Sequence, residues 1–386
     1  MRRGWKRSRA AIGATCAALA LSACQSDDSA KLENLAAVPL PSPVAPGASP
    51  SASPTPPTLA PTPLAPGEKP PQFVVVSFDG GGGLDKWRYY RDIAAATGAH
   101  MTYFLSGPYL VPQDKAKQLY FPPHHAAGAS DIGWADNEAD VLARMEQVYA
   151  AYASGDEIGT HFNGHFCGGT GVEAWSAADW ASELDQFNSF LLNWRTNNDA
   201  LDAAPLPFDL NAIIGERTPC LEGKRSNLFP QLVQRGFRYD TSGYGYLTWP
   251  QKLSTGLWDI PMQELRMAGS GTAVLSMDYN FFELQSGARE GGETSFARWQ
   301  DQVKNTYLNA YQAVLDGNRA PLIIGAHFAN WNGGLYHQAL GDFMKSVCDN
   351  PETRCVSFKE LVDWLDVQTS ETLAMLQALP QQPMGH

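Results

Sequence analysis

The sequence predicts an α/β fold, a parallel (β/α) barrel, with an open doubly wound sheet as the alternative. Strand-like and helix-like segments alternate through residues 72–366. Several of the strand-like runs stop at a polar residue suited to chemistry, which is where barrels place their sites. Hydrophobic residues make up 44% of the 386-residue chain and charged residues 18%, enough for a large core.

The alternation reads as follows. Residues 73–78 form an apolar, β-branched run, hence a buried strand. Residues 85–96 read as a helix and 101–105 as the second strand. Residues 137–153 carry Val141, Leu142, Met145, Val148, Tyr149 and Tyr152 near one helical face. A short strand at 157–160 precedes a helix at 176–195, opened by the capping residue Ser176. Further strands are expected at 210–214, 236–239, 257–260 and 273–277. A helix at 296–315, a strand at 322–326, a helix at 334–347, a strand at 354–357 and a helix at 358–365 complete the alternation.

The start of the chain is an address. Residues 1–23 have a basic beginning, an apolar run from Ala10 to Leu21 and then small residues, the pattern of an export signal. The run is too short to span a bilayer comfortably. Leu21-Ser22-Ala23-Cys24 resembles the bacterial lipobox, which implies cleavage before Cys24 and its lipidation. Export and anchoring to the outer side of the cell membrane follow. Residues 24–71, rich in Ala, Pro, Ser and Thr, cannot bury a core and read as an extended spacer. Residues 367–386 read as a short helix and tail. Without residues 1–23 the formal charge is −17, which argues against a nucleic-acid partner.

Cys16 leaves with the signal and Cys24 takes the lipid, so four cysteines remain, an even number in an exported chain. Cys348 and Cys355 flank the turn signal Asn350-Pro351 and are expected to pair. Cys167 and Cys220 then pair by elimination, or stay as two buried thiols.

Five residues stand out as site candidates. Asp79 follows the first strand and precedes four glycines, a backbone that lets a ligand approach closely. His161 and His165 follow the third strand, four residues apart, a spacing that aims two imidazoles at one divalent metal. Arg217 and Pro219 follow the strand at 210–214, and His327 follows the one at 322–326. Each has a plainer reading: a turn aspartate, a chance His pair, a structural ion-pair arginine, a core histidine. Asp259 also lies near a strand end. Trp258, Tyr244, Trp331 and Trp134 are candidates for stacking on sugar rings, or are core.

Taken in order, these segments resemble the polysaccharide deacetylase family, the NodB homology domain of carbohydrate esterase family 4, over about residues 72–366. Ser77-Phe78-Asp79-Gly80-Gly81 is similar to its Thr-Phe-Asp-Asp-Gly opening. Met101-Thr-Tyr-Phe-Leu-Ser-Gly107 is similar to its Ala-Thr-Phe-Phe-x-x-Gly strand. Asp156-Glu-Ile-Gly-Thr-His161, with His165, resembles Glu-Ile-Gly-Asn-His-x-x-x-His. Arg217-Thr-Pro219 resembles Arg-x-Pro, and Gly236-Phe-Arg-Tyr-Asp240-Thr-Ser resembles Gly-Phe-x-Tyr-Asp-Ser-Ser. His327 resembles the late histidine. The resemblance implies a distorted (β/α) barrel with fewer than eight strands. It implies hydrolysis of an N- or O-acetyl group on a sugar, a carbon–nitrogen bond that is not a peptide bond in the first case. It implies Asp79 as base, His327 as acid, Arg217 as the base's partner, and His161 and His165 as ligands of a divalent metal, zinc in the usual case. In that fold Cys167 and Cys220 lie on neighbouring loops, so a disulfide between them ties the metal loop to the arginine loop.

One position departs from the family. Its second Asp, a metal ligand, aligns with Gly80. Three outcomes are open: Asp85 supplies the missing carboxylate, Asp79 binds the metal itself, or the site holds metal poorly. The expected function is a cell-surface deacetylase of an acetylated envelope glycan. The alternative is an impaired barrel that binds glycan or scaffolds envelope proteins. A third reading is hydrolysis of another amide, such as a cyclic ureide or imide.

Overall fold

The computed structural model describes residues 61–383. The export signal, the lipidation site Cys24 and most of the spacer lie outside them.

Twelve strands occur in chain order: β1 (Gln72–Gly80), β2 (Thr102–Leu105), β3 (Glu157–Thr160), β4 (Gly215–Glu216), β5 (Tyr239–Asp240), β6 (Tyr244–Gly245), β7 (Gln251–Lys252), β8 (Trp258–Asp259), β9 (Met262–Arg266), β10 (Ala273–Leu275), β11 (Leu322–His327) and β12 (Thr353–Cys355). The main sheet follows the path β11-β1-β2-β3-β4-β5-β8-β7. Its first seven strands are parallel to their neighbours, and β7 runs antiparallel to β8. The architecture is the expected distorted α/β barrel, with seven consecutive parallel strands and an open side. β12 pairs with the first half of β1 and β2 with the second half, so both use one edge of that strand.

All nine residues of β1 are buried. A parallel strand covered by helices on the outside and packed side chains within has no solvated face, which is why its sequence lacks alternation. Helices Leu84–Thr97 and Trp331–Val347 pack outside it, with Trp87, Tyr90, Ile93, Leu335, Leu340 and Phe343 in the core.

Register lines up the strand ends. Asp79 pairs with His327, Gly80 with Leu105, Leu105 with Thr160, Thr160 with Glu216, and Glu216 with Asp240. The residues just beyond this row, Ser106, His161, Arg217 and Thr241, therefore begin neighbouring loops at one end of the sheet.

Two features differ from expectation. Residues 210–214 are not a strand: Leu210–Ala212 is a 3-10 turn and the ladder starts at Gly215. The apolar run reads as strand, but only two residues reach the register. The segment 273–277 joins not the main sheet but a second one, order β10-β9-β6, through antiparallel β9–β10 pairing. This small sheet meets the barrel's open side at the parallel bridge Met277–Gly325. Helices Arg225–Gln234 and Asp278–Ser286 complete the layers.

Candidate active site

Asp79, His161, His165 and His327 line one cleft of about 170 Å³, together with Gly80, Gly82, Ser106, Tyr109, Ile132, Phe328, Ala329 and Trp331. Arg217 reaches it from beneath. Its Nη1 donates to Asp79 Oδ1 at 2.8 Å, and both side chains are buried. The guanidinium lies over the Phe104 ring, 4.9 Å from its centroid. It crosses the barrel interior beside Gly325, where a built Cβ meets Nη1 at 3.2 Å. Glycine in the middle of β11 keeps that passage open.

His161 donates from Nδ1 to the Arg217 carbonyl at 2.8 Å, which fixes the tautomer and leaves the lone pair on Nε2. That Nε2 is buried and has no partner among the described residues. His165 follows, its ring centroid 5.0 Å from that of His161. The loop between them is tightly bent: Phe162 and His165 both have φ of 58°, a region that non-glycine residues rarely adopt. A buried acid holds the bend. Glu183, on helix Ala177–Leu192, accepts from Asn163 N at 3.1 Å, Gly164 N at 3.3 Å and the Tyr120 hydroxyl at 2.9 Å.

His327 ends β11. Its Nδ1 lies 2.8 Å from Asp278 Oδ1, and its own N–H donates to Asp278 Oδ2 at 2.8 Å. Trp331 packs 5.4 Å from its ring.

The electrostatics separate the two halves. Burial raises the Asp79 pKa, but Arg217, His161 and His327 outweigh it and hold the carboxylate below its ordinary value. Burial lowers His327, but the Asp278 and Asp79 charges win and hold it above its ordinary value. His161 is lowered by burial. His165 is pushed down to about 3 by burial and by the two neighbouring histidines. The shifts thus run in opposite senses: the surroundings favour the charged forms of Asp79 and His327 and the neutral forms of His161 and His165.

Asp85, the expected third metal ligand, is not in the cleft. It is largely exposed, pairs with Lys86 at 2.8 Å and accepts from the backbone at its own helix start. At position 80 there is no carboxylate, and the backbone there is one that side chains rarely adopt. Gly80 has a φ of 87°, and a Cβ built there meets Tyr109 Cε2 at 3.3 Å. Catalytic zinc takes three protein ligands as a rule. Among the described residues, the only three His, Cys, Asp or Glu donors lying within 4.8 Å of one another are His165, Cys167 and Cys220. Those two sulfurs are joined as the Cys167–Cys220 disulfide. Two imidazoles and no third donor do not fit the three-ligand divalent-metal centre that the sequence resemblance implies.

The Cys167–Cys220 bond does tie the histidine loop to the loop after Arg217, and Cys348 pairs with Cys355. Of the aromatic candidates, Trp331 reaches the cleft. Trp258 is core, with its Nε1 on Asp366. Trp134 bonds Gly128, and Tyr244 is exposed elsewhere. Asp259 pairs with Arg225 outside the cleft. Sequence reasoning missed Asp278, Glu183, Ser106, Tyr109 and Arg144. Asp278 had a signal, since it follows the strand-like run 273–277 as the other polar candidates follow theirs.

No protein-family profile and no curated protein matches the chain. Solved structures give matches of low identity. A provisionally named polysaccharide deacetylase of Mycobacterium smegmatis is 14% identical over 83% of this chain and 97% of that one, with a TM-score of 0.45. Peptidoglycan deacetylase PdaC of Bacillus subtilis is 11% identical over 78% and 94%, with a TM-score of 0.39. A carbohydrate esterase family 4 pseudoenzyme of Bacillus anthracis is 10% identical over 79% and 70%, with a TM-score of 0.39.

Proposed function

We propose that the protein is a hydrolase that removes acetyl groups from an N- or O-acetylated glycan of the cell envelope. One observation carries the reading. Asp79 and His327 are register partners on adjacent strands, and their separate partners, Arg217 and Asp278, drive their pKa values apart. A carboxylate base and an imidazolium acid on one cleft are what hydrolysis of an amide or ester needs.

Arg217 occupies Asp79 Oδ1, so the second carboxylate oxygen takes a proton from water as its oxygen attacks the acetyl carbon. The tetrahedral intermediate then collapses. His327 gives its proton to the departing sugar nitrogen or oxygen, the bond from that atom to the acetyl carbon breaks, and acetate is released. The proton on Asp79 returns to solvent, and His327 regains one. Asp278 keeps the His327 ring in place and favours its charged form. Neutral His161 presents Nε2 as an acceptor that orients water or a substrate hydroxyl. Trp331 on the rim offers a face for a sugar ring.

Together with the export signal and the lipobox, this reading puts the enzyme on the outer side of the membrane, tethered through Cys24, within reach of wall polymer. Gly80 supports a second reading, a catalytically impaired barrel that only binds glycan. Acetate release from acetylated chito-oligomers separates the two. The first reading expects release by the wild type, loss with Asp79→Asn, and a drop of about 10²–10⁴-fold with His327→Gln, the usual worth of a general acid. Glycan binding with no acetate release from any acetylated glycan would leave the second.

A further inference from the structure

We propose that Ser106 is a catalytic residue: its hydroxyl, with the Gly82 amide, donates to the carbonyl oxygen of the acyl group and supplies the polarisation that a three-ligand metal cannot give here. This rests on the hydrolase reading above.

Ser106 directly follows β2, between the base and the histidine loop. Its own N–H donates to Gly80 O at 3.0 Å, and the preceding residue's carbonyl accepts from His161 N at 2.8 Å. It lines the cleft with Asp79, His161 and His327. The side chain is fully buried, and Oγ has no partner among the described residues. A buried hydroxyl without a partner destabilises the fold, and a substrate oxygen in the cleft removes that cost. Oγ lies 3.8 Å from a Cβ built on Gly80, so it faces the place from which a side chain at position 80 would have entered.

The glycine turn adds the second donor. The carbonyls of Gly81 and Gly82 are held by buried donors. Gly81 O accepts from Arg144 Nε at 3.1 Å and Trp87 Nε1 at 2.9 Å, and Gly82 O accepts from Arg144 Nη2 at 2.8 Å. In a trans peptide the N–H points opposite the preceding carbonyl. The Gly82 N–H is therefore turned away from the Arg144 and Trp87 groups that hold Gly81 O; Gly82 lines the cleft, and its N–H has no acceptor among the described residues. Arg144 is itself buried and is ion-paired with Asp140 at 3.2 Å, so it fixes the turn's carbonyls and holds the Gly82 amide in place in advance of the reaction. The Tyr109 ring packs against both Gly80 and Gly82, 3.3 Å and 3.0 Å from the Cβ built at each.

The test uses the full chain and acetylated chito-oligomers. Ser106→Ala should lower kcat by about 10²–10³-fold, the usual worth of one donor to a developing oxyanion, with KM unchanged. Ser106→Thr, which keeps the hydroxyl, should recover part of the loss. Wild-type activity should withstand a chelator. Ser106→Ala within threefold of wild type, while Asp79→Asn is inactive, overturns the role of Ser106 and leaves the hydrolase reading standing. Activity lost in chelator and restored by zinc also overturns it, because the metal would then hold the carbonyl. A wild-type protein silent on every acetylated substrate removes the hydrolase reading, and this inference falls with it.

Discussion

Asp278 grips His327 at two points, the ring Nδ1 and the backbone N–H, each at 2.8 Å. His327 ends β11 and Asp278 opens the helix that follows β10, just past the Met277–Gly325 bridge. The grip fixes ring orientation and raises the histidine's pKa together. The expected result for Asp278→Asn is a His327 titration midpoint, followed by ring-carbon NMR, displaced toward lower pH. The kcat at neutral pH should fall by about 10²-fold. Because His327 is raised in the folded protein, the pair's contribution to stability is complete below the ordinary histidine value and is lost as pH rises through the folded one. An unchanged midpoint in the variant would remove Asp278 from the account.

Arg217→Met should be costly to stability as well as to activity. Its removal leaves Asp79 buried without a counter-charge, a change worth about 3–5 kcal/mol. Asp79 is lowered in the native state, so the pair stabilises above the ordinary aspartate value and the benefit is lost as pH falls through the folded value. Denaturant unfolding should show the deficit at neutral pH and its narrowing in acid. Equal stability of variant and wild type at neutral pH would contradict the pairing.

Glu183 is expected to govern the histidine loop without touching substrate. In Glu183→Gln one carbonyl oxygen replaces a carboxylate that serves Asn163 N, Gly164 N and the Tyr120 hydroxyl. Each donor left unpaired costs about 1–3 kcal/mol. Amide exchange at Asn163 and Gly164 should quicken in the variant. Burial pushes Glu183 up to about 7, so folding takes up a proton there between the ordinary glutamate value and about 7. Wild type should lose stability relative to the variant as pH rises through that window. Exchange rates that match wild type would show that the loop holds itself.

The Cys167–Cys220 disulfide closes a loop of sequence separation 53. The chain-entropy relation gives it about 4 kcal/mol. Replacing both cysteines with serine should lower the unfolding midpoint accordingly. It should also free the His165 ring, whose Nδ1 lies 3.8 Å from Cys167 Sγ. A midpoint within error of wild type would mean that the two loops need no covalent tie.

The sequence made the outline of the site legible because each strand writes a local signal. β1 and β11 are buried on both sides and appear as unbroken apolar runs, so the ends bearing Asp79 and His327 can be read directly. β4 and β5 have only two residues each, too few for a pattern, and the apolar run before β4 drew the assignment upstream. What no local pattern announces is who meets whom. Asp278 reaches His327 only because a second sheet fills the barrel's open side. Glu183 faces inward from a helix whose sequence shows an ordinary solvated acid. The loss of a ligand at Gly80 is visible in the sequence, but its consequence is not. That Asp85 turns to its own helix start, and that Tyr109 packs against Gly80, follow from packing.

The pH profile of acetate release by the wild-type protein tests the central claim most directly. With Asp79 lowered and His327 raised, activity should hold well into the acid range and fall on an alkaline limb that lies above the ordinary histidine value of 6.5. His327→Gln should abolish that limb along with most of the rate. A rate that climbs steadily as His327 loses its proton, or one indifferent to the identity of residue 327, would contradict the account.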